Sequence, residues 1–323
     1  MIETDAICLT GARKLERRKR VLEAGPNDVI VETTSASICD ADLRAWRGLH
    51  MPGDLPSFEW IGHEGGGHVI EVGANVTDFA IGDHVMCFGP NNSWARHFKA
   101  HSDTVLKSPS NLTAVTADLG EPTAVGLYAA MRANVQLGDR VAVIGLNYQG
   151  LLAVQALKRG GASELVAMDY SDRHLEIAKA RGADKAINIE ASGLASAMEL
   201  GHFDIVFHSC GYWNPRAEEY FNLAIRLTRD EGHFVSVPDM MRSATVDLHR
   251  FHHHAIQVTF PALMHHNPNY LKIWTPRVLR PLATGQIDLD GLITGNCTLD
   301  TVEDAMHAFD TDLDHVKITI QPQ

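Results

Sequence analysis

Several things are missing from this 323-residue chain, and each absence narrows what it can be. It has no Cys-x-x-Cys pair. Its five cysteines stand singly at positions 8, 39, 87, 210 and 297, which argues against a disulfide framework and for a reducing, cytoplasmic compartment. It has no long apolar run either. The longest uncharged stretch, Val141 to Leu157, is broken by Gly145, Asn147, Gln149, Gly150 and Gln155, too short and too polar for a bilayer span. The N-terminus opens on acids without an apolar core, so no secretory leader is expected. Cations are the scarcer charge, 28 Lys and Arg against 40 Asp and Glu, a net charge of −12. That field repels phosphate backbones and anionic lipid, so neither nucleic acid nor membrane is expected as a partner. There is no internal repeat and no low-complexity linker. The one basic run, Arg13, Lys14, Arg17, Arg18, Lys19 and Arg20, has no interleaved aromatics; it reads as a solvated face between two strands.

What remains is an ordinary globular mix, 45% hydrophobic and 21% charged, and at roughly 150 residues per domain the length suggests two domains. The first 120 residues read as β-rich, with strands around Val29–Thr33 and Gly67–Val72 and turn signals at Gly25–Asp28, Met51–Gly53 and Gly82–Asp83. From about residue 122 strands alternate with helices. Strands are expected at 141–144, 164–168, 203–207, 234–237 and 255–260, with helices at 150–159 and 172–181. That rhythm means parallel βαβ units. The strand at Val141 runs into Gly145-Leu146-Asn147-Tyr148-Gln149-Gly150 and then a helix, the arrangement that lets backbone approach a pyrophosphate at a helix N-terminus. Asp169 ends the next strand, where a carboxylate accepts from ribose hydroxyls and repels a 2′-phosphate; NAD is favoured over NADP. Asn147 stands where the middle glycine of G-x-G-x-x-G usually stands. Asn tolerates the left-handed region better than other non-glycine residues, but its side chain lies where the diphosphate approaches.

Three separated segments carry candidate metal ligands: Ile38-Cys39-Asp40-Ala41-Asp42, Ile61-Gly62-His63-Glu64-Gly65 and Gly120-Glu121-Pro122. Thiolate, imidazole and carboxylate together form a set that zinc accepts, although each alone is ordinary. With these residues the chain resembles the medium-chain, zinc-dependent alcohol dehydrogenases, most closely their polyol (sorbitol-type) branch. The likeness is carried by Gly62-His63-Glu64-Gly65, Cys39-x-x-Asp42, Glu121-Pro122-x-Ala124-Val125-Gly126, Gly82-Asp83-His84-Val85 and Leu137-Gly138-Asp139-Arg140-Val141. It extends to Gly285-Gln286-Ile287-Asp288 and Glu303-Asp304-Ala305-Met306.

The resemblance implies an α/β fold joined to a mainly β one. A GroES-like β-barrel catalytic domain (residues 1–121, with a C-terminal return over 264–323) would carry the chemistry. A Rossmann parallel-sheet coenzyme domain (122–263) would complete it, with the active site in the cleft between them. It implies one catalytic zinc on Cys39 and His63, with Glu64 or Glu121 as third ligand and Asp42 orienting His63. Leu146, Arg173, His174 and Val237 join Gly145, Asn147, Gly150 and Asp169 around NAD. Trp46, Phe58 and Trp60 flank the ligand segments and are candidates either for lining a substrate cleft or for core packing. The family's usual Ser or Thr after the ligand cysteine is Ala41 here, so the substrate proton needs another route. Between Gly82 and Trp94 only Cys87 is present, so no structural zinc is expected. His249, His252, His253, His254, His265 and His266 bracket the strand at 255–260 and read as polar or interface surface rather than a second metal site. The implied enzyme is an NAD-dependent oxidoreductase for a secondary alcohol or ketone (a polyol, sugar or cyclitol) working as a homodimer or homotetramer. Two alternatives stay open: a zinc- and NAD-containing lyase or epimerase acting by transient oxidation, and a non-catalytic NAD-binding protein.

Overall fold

The computed structural model describes residues 1–49, 60–89, 91–211, 214–238, 245–246, 248–261 and 268–322; Phe58, His265 and His266 lie outside them. The chain divides into two compact units, residues 1–122 with 266–323, and residues 123–265. Among the described residues no helix is long and apolar enough to cross a membrane.

The first unit opens with an antiparallel hairpin, β1 (Ile2–Gly11) and β2 (Lys14–Leu22). Lys14 to Arg20 of the basic run therefore lie on a strand, not between two, with Arg13 in the turn before it. Charge pairing makes that possible: Lys19 meets Glu3 at 2.6 Å, Arg17 meets Asp5 at 3.2 Å and Arg18 meets Glu16 at 2.8 Å. Opposite charges facing across a ladder support an exposed strand that β-propensity alone would not suggest. There follow β3 (Asp28–Ser37), α1 (Asp40–Trp46), β4 (Gly65–Val72), β5 (His84–Cys87), β6 (His97–His101), β7 (Val105–Lys107) and α2 (Ala114–Asp118). Alternate residues of these strands, Val29, Val31, Val69, Val85, Cys87, Phe98 and Val105, turn inward to one core, as a period of two requires.

The next helix, α3 (Gly120–Arg132), carries Glu121 in its first turn. The second unit then alternates β8 (Arg140–Ile144), α4 (Tyr148–Gly160), β9 (Glu164–Asp169), α5 (Asp172–Ala180), β10 (Lys185–Asn188), α6 (Leu194–Met198), β11 (Phe203–His208), α7 (Ala217–Leu227), β12 (Thr228–Ser236), α8 (Leu248–His253) and β13 (Gln257–Thr259). The sheet order is β10-β9-β8-β11-β12-β13, every pair parallel. Val141 to Ile144 are fully buried, which is why that strand reads as an unbroken apolar run. The order reverses between β8 and β11, the point at which ligands enter open sheets of this kind. The edge strand β13 is shorter than the expected 255–260, with Ala255 at φ 49° and Phe260 beyond its end. His249, His252 and His253 sit on α8, with the His249 and His253 rings 4.1 Å apart.

The C-terminal part returns to the first unit as α9 (Pro268–Ala283), β14 (Gly295–Thr298), α10 (Val302–Thr311) and β15 (Ile318–Gln321). β15 runs parallel to β14 and antiparallel to β3, with Thr319 opposite Ser37. The last strand thus lies beside the end of β3, two residues before Cys39.

Candidate metal centre and coenzyme turn

Cys39 is the N-cap of α1, and Asp42 one turn later accepts from its backbone N–H at 3.0 Å through Oδ2. The other Asp42 oxygen lies 3.3 Å from His63 Nδ1, so one buried carboxylate fixes both the thiol's helix and the imidazole. His63 follows Gly62, whose φ is +100°; a Cβ there would stand 2.4 Å from Trp94 Cδ1. Trp94 cannot yield easily, because it is fully buried and its Nε1 donates to Ser37 O at 3.0 Å. The glycine is what lets the chain turn His63 and Glu64 toward Cys39.

Ligating atoms of Cys39, His63 and Glu64 all lie within 4.8 Å of one another, the one such group of three among the described residues. Glu64 is 1% exposed, and its Oε2 accepts from Lys317 Nζ at 2.8 Å and from Ser37 Oγ. Its Oε1 is buried with no hydrogen-bond partner. An unsatisfied buried carboxylate oxygen is costly, and a cation is the group that satisfies it beside a thiol and an imidazole. The donor set therefore fits a zinc-like divalent cation. Glu121 is also buried but falls outside the group of three.

The electrostatics agree. Burial, then the Glu64 charge, pushes the Cys39 thiol up to about 12. Burial opposes charge on His63, but Asp42 and Cys39 outweigh it and hold its proton well above the usual histidine range. Burial likewise opposes charge on Glu64, and Lys317 and His63 overcome it, keeping the carboxylate ionised. On Glu121 the same two cations do not prevail: burial, then the neighbouring Glu64, push it up to about 8 against them. What the cluster leaves unmet is an acceptor, the bare Glu64 Oε1 beside a thiol and an imidazole that can each release a proton to a metal, so a divalent ion is the natural complement.

Lys317 and Ser37 are the members that sequence reasoning missed. Lys317 is 3% exposed and also donates to Ile38 O at 3.1 Å. Its one sequence signal is a lone ammonium in the apolar run Val316-Lys317-Ile318. Trp46 does not line an opening. It is fully buried on α1, edge-on to His307 at 4.8 Å with Arg13 over its ring. Trp60 is half-buried, with Arg20 5.1 Å from its ring centroid.

In the second unit the expected turn follows β8. Gly145 has φ +87°, and a Cβ on it would meet Cys210 N at 2.4 Å, so a glycine is required where the chain crosses to the end of β11. Asn147 is not left-handed. Its φ is −63°, and it is the N-cap of α4, its Oδ1 accepting from Gly150 N at 3.1 Å and from Ser209 Oγ. Asp169 ends β9 as expected but is 2% exposed. Its oxygens accept from Leu146 N at 2.6 Å and Ser171 N at 2.8 Å rather than lying open to a ribose. His174 is equally buried, Nδ1 3.4 Å from Asp169, while Arg173 is exposed. Val237 is half-buried just past β12, and Leu146 is fully buried. His208, unremarked in the sequence, ends β11 fully buried, 3.0 Å from Ser236 Oγ. Burial pushes it down to about 3, so it stays neutral. Left-handed glycine, close strand ends and a terminal acid at the sheet's reversal point fit a dinucleotide.

Known proteins resemble this chain along most of its length. Residues 25–177 match the alcohol dehydrogenase GroES-like domain, and residues 150–272 the zinc-binding dehydrogenase domain. The chain is 28% identical to a sorbitol dehydrogenase from Ovis aries, over 90% of this chain and 87% of that one. It is 28% identical to an L-idonate 5-dehydrogenase from Vitis vinifera, over 96% and 91%. The crystal structure of 2R,3R-butanediol dehydrogenase from Bacillus subtilis shares its fold, with a TM-score of 0.81 at 22% identity over 99% of this chain and all of that one. The chain belongs to the medium-chain, zinc-dependent alcohol dehydrogenase family, on its polyol branch, and is an oxidoreductase.

Proposed function

We propose that this chain oxidises a secondary hydroxyl of a polyol, sugar or cyclitol, or reduces the matching ketone, with zinc on Cys39, His63 and Glu64 and NAD as hydride partner. Residues 1–121 with 264–323 form the catalytic domain and 122–263 the coenzyme domain. The observation that carries the reading is the convergence of three ligand types within 4.8 Å around a buried, unsatisfied Glu64 oxygen. The sorbitol and L-idonate dehydrogenases among its relatives support the substrate class. When bound, zinc would polarise the substrate oxygen, and NAD would take the hydride.

The chain's own residues do the rest. Asp42 keeps a proton on His63 Nδ1, leaving the other ring nitrogen to face a cation. Lys317 holds Glu64 Oε2 and leaves Oε1 available. Glu121 is the proton carrier that Ala41 cannot be. In the metal-free protein burial and Glu64 hold its proton up to about 8; protonated, it can give a proton during reduction, and as a carboxylate it can accept the hydroxyl proton during oxidation. Asp169 ends β9 as a buried carboxylate already held by two backbone N–H groups, so it supports NAD over NADP through its charge and not through a hydrogen bond to a ribose.

The test is NADH formation by the zinc-loaded protein across polyols, cyclitols, amino alcohols and simple alcohols, with zinc counted alongside. Turnover of a polyol with one bound zinc per chain is expected. Product formed without net NADH would instead assign a transient-oxidation lyase or epimerase. Bound NAD with no turnover at all would end the dehydrogenase reading.

A further inference from the structure

The coenzyme turn has an unusual feature: a side chain spans it. β8 and β11 are the neighbours between which the sheet order reverses, so the crevice beyond their carboxyl ends is where a dinucleotide lies. Asn147 follows β8 and Ser209 follows β11, and Asn147 Oδ1 accepts from Ser209 Oγ across that crevice as well as from Gly150 N. Because the Gly150 N–H can only donate, the amide atom facing it must be the oxygen, which fixes Nδ2 on the opposite side. Among the described residues Nδ2 donates to no protein group, and it is not sealed from solvent.

The turn has also consumed donors of its own. Leu146 N–H goes to Asp169 and Gly150 N–H to Asn147, so two backbone groups beside the crevice are already committed to protein oxygens. We propose that Asn147 returns what it takes: its Nδ2, braced by Ser209, is a hydrogen-bond donor to the coenzyme diphosphate, standing in for backbone N–H groups of an all-glycine turn. This rests on the NAD reading above and assigns a residue within it. A hydrogen bond to an ionised phosphate corresponds to roughly tenfold or more in affinity.

The test measures binding to the full-length protein without substrate, by fluorescence titration for NADH and by ligand-observed NMR for ADP and adenosine. Asn147→Ser keeps a capping oxygen but removes the amide donor without adding charge. It is expected to weaken NADH and ADP by about tenfold while leaving adenosine and the melting temperature of the free protein within error. Asn147→Asp keeps the cap and turns the donor into a second anionic oxygen; a larger loss for NADH and ADP is expected. Ser209→Ala frees the amide to rotate and should weaken NADH by a few-fold. Wild-type affinity in Asn147→Ser, even with a loss in Asn147→Asp, would reduce Asn147 to a helix cap and overturn the proposal, as would an equal loss for adenosine. Failure of the wild type to bind NADH and adenosine alike would overturn the coenzyme reading itself, a distinct result.

Discussion

The two chemical regions of this chain solve opposite electrostatic problems. Around Cys39, His63, Glu64 and Glu121 the fold buries ligand-type groups and leaves one acceptor unmet, so a thiol near 12, a carboxyl near 8 and a bare carboxylate oxygen stand together. Around Gly145–Gly150 the fold does the reverse. Asp169 and Asn147 find backbone donors at once, and the turn is closed on itself before any ligand comes. A region with an unmet acceptor announces its ligand; a region already satisfied conceals it. The metal centre should therefore respond strongly to loss of its cations, and the coenzyme turn weakly to loss of a cap.

Removing a ligand is the severest way to test the first half of that contrast. Cys39→Ser should lose bound zinc and lower kcat by about 10³-fold, the several kcal/mol that metal polarisation supplies. Retained zinc with normal turnover would break the assignment. Next comes Lys317→Met, which strands the Glu64 charge. The zinc-free protein should lose about 3–5 kcal/mol in urea unfolding, and the loss should shrink when zinc is present, since a metal ion can replace the ammonium.

Glu121→Gln tests the proton. Because the folded state holds this proton up to about 8 against an ordinary 4.5, folding takes up a proton between those values. The zinc-free protein should therefore lose stability as pH rises from about 4.5 to about 8, and the glutamine variant should show a flatter profile there. Its turnover should fall by about 10²-fold or more and lose the rise of oxidation with pH. The smallest effect belongs to the coenzyme turn. Asn147→Gly should cost the free protein only a few tenths of a kcal/mol. A loss of several kcal/mol would mean that the turn is as strained as the metal centre.

How much of this could be read from the chain alone follows the same division. Cys39, His63 and Glu64 were legible because glycine and acid neighbours surround them in short strings, and the fold does bring them together. The parallel sheet was legible from its apolar runs. Lys317 was not, because its partner lies 253 positions away and the burial of a lysine is a tertiary fact. The conformation of Asn147 was not legible for a local reason: capping the helix satisfies the residue better than the left-handed region that Asn tolerates, and Gly145 takes that conformation instead. The strand at Lys14–Leu22 was hidden by its own charges, whose partners on β1 become neighbours only in the hairpin. The place of Trp46 in the sequence suits a cleft or a core alike, and α1 decides for the core by turning it wholly inward.

The ammonium that quiets Glu64 arrives just ahead of the chain's final strand. During synthesis, residues 39 to 64 emerge long before residue 317, so the nascent chain carries its thiol, imidazole and acid with no internal cation to offset them. The ion pair on Glu64 therefore closes only when β15 docks beside β3, so the last strand to be made is also the one that completes the electrostatics of the first unit's oldest residues.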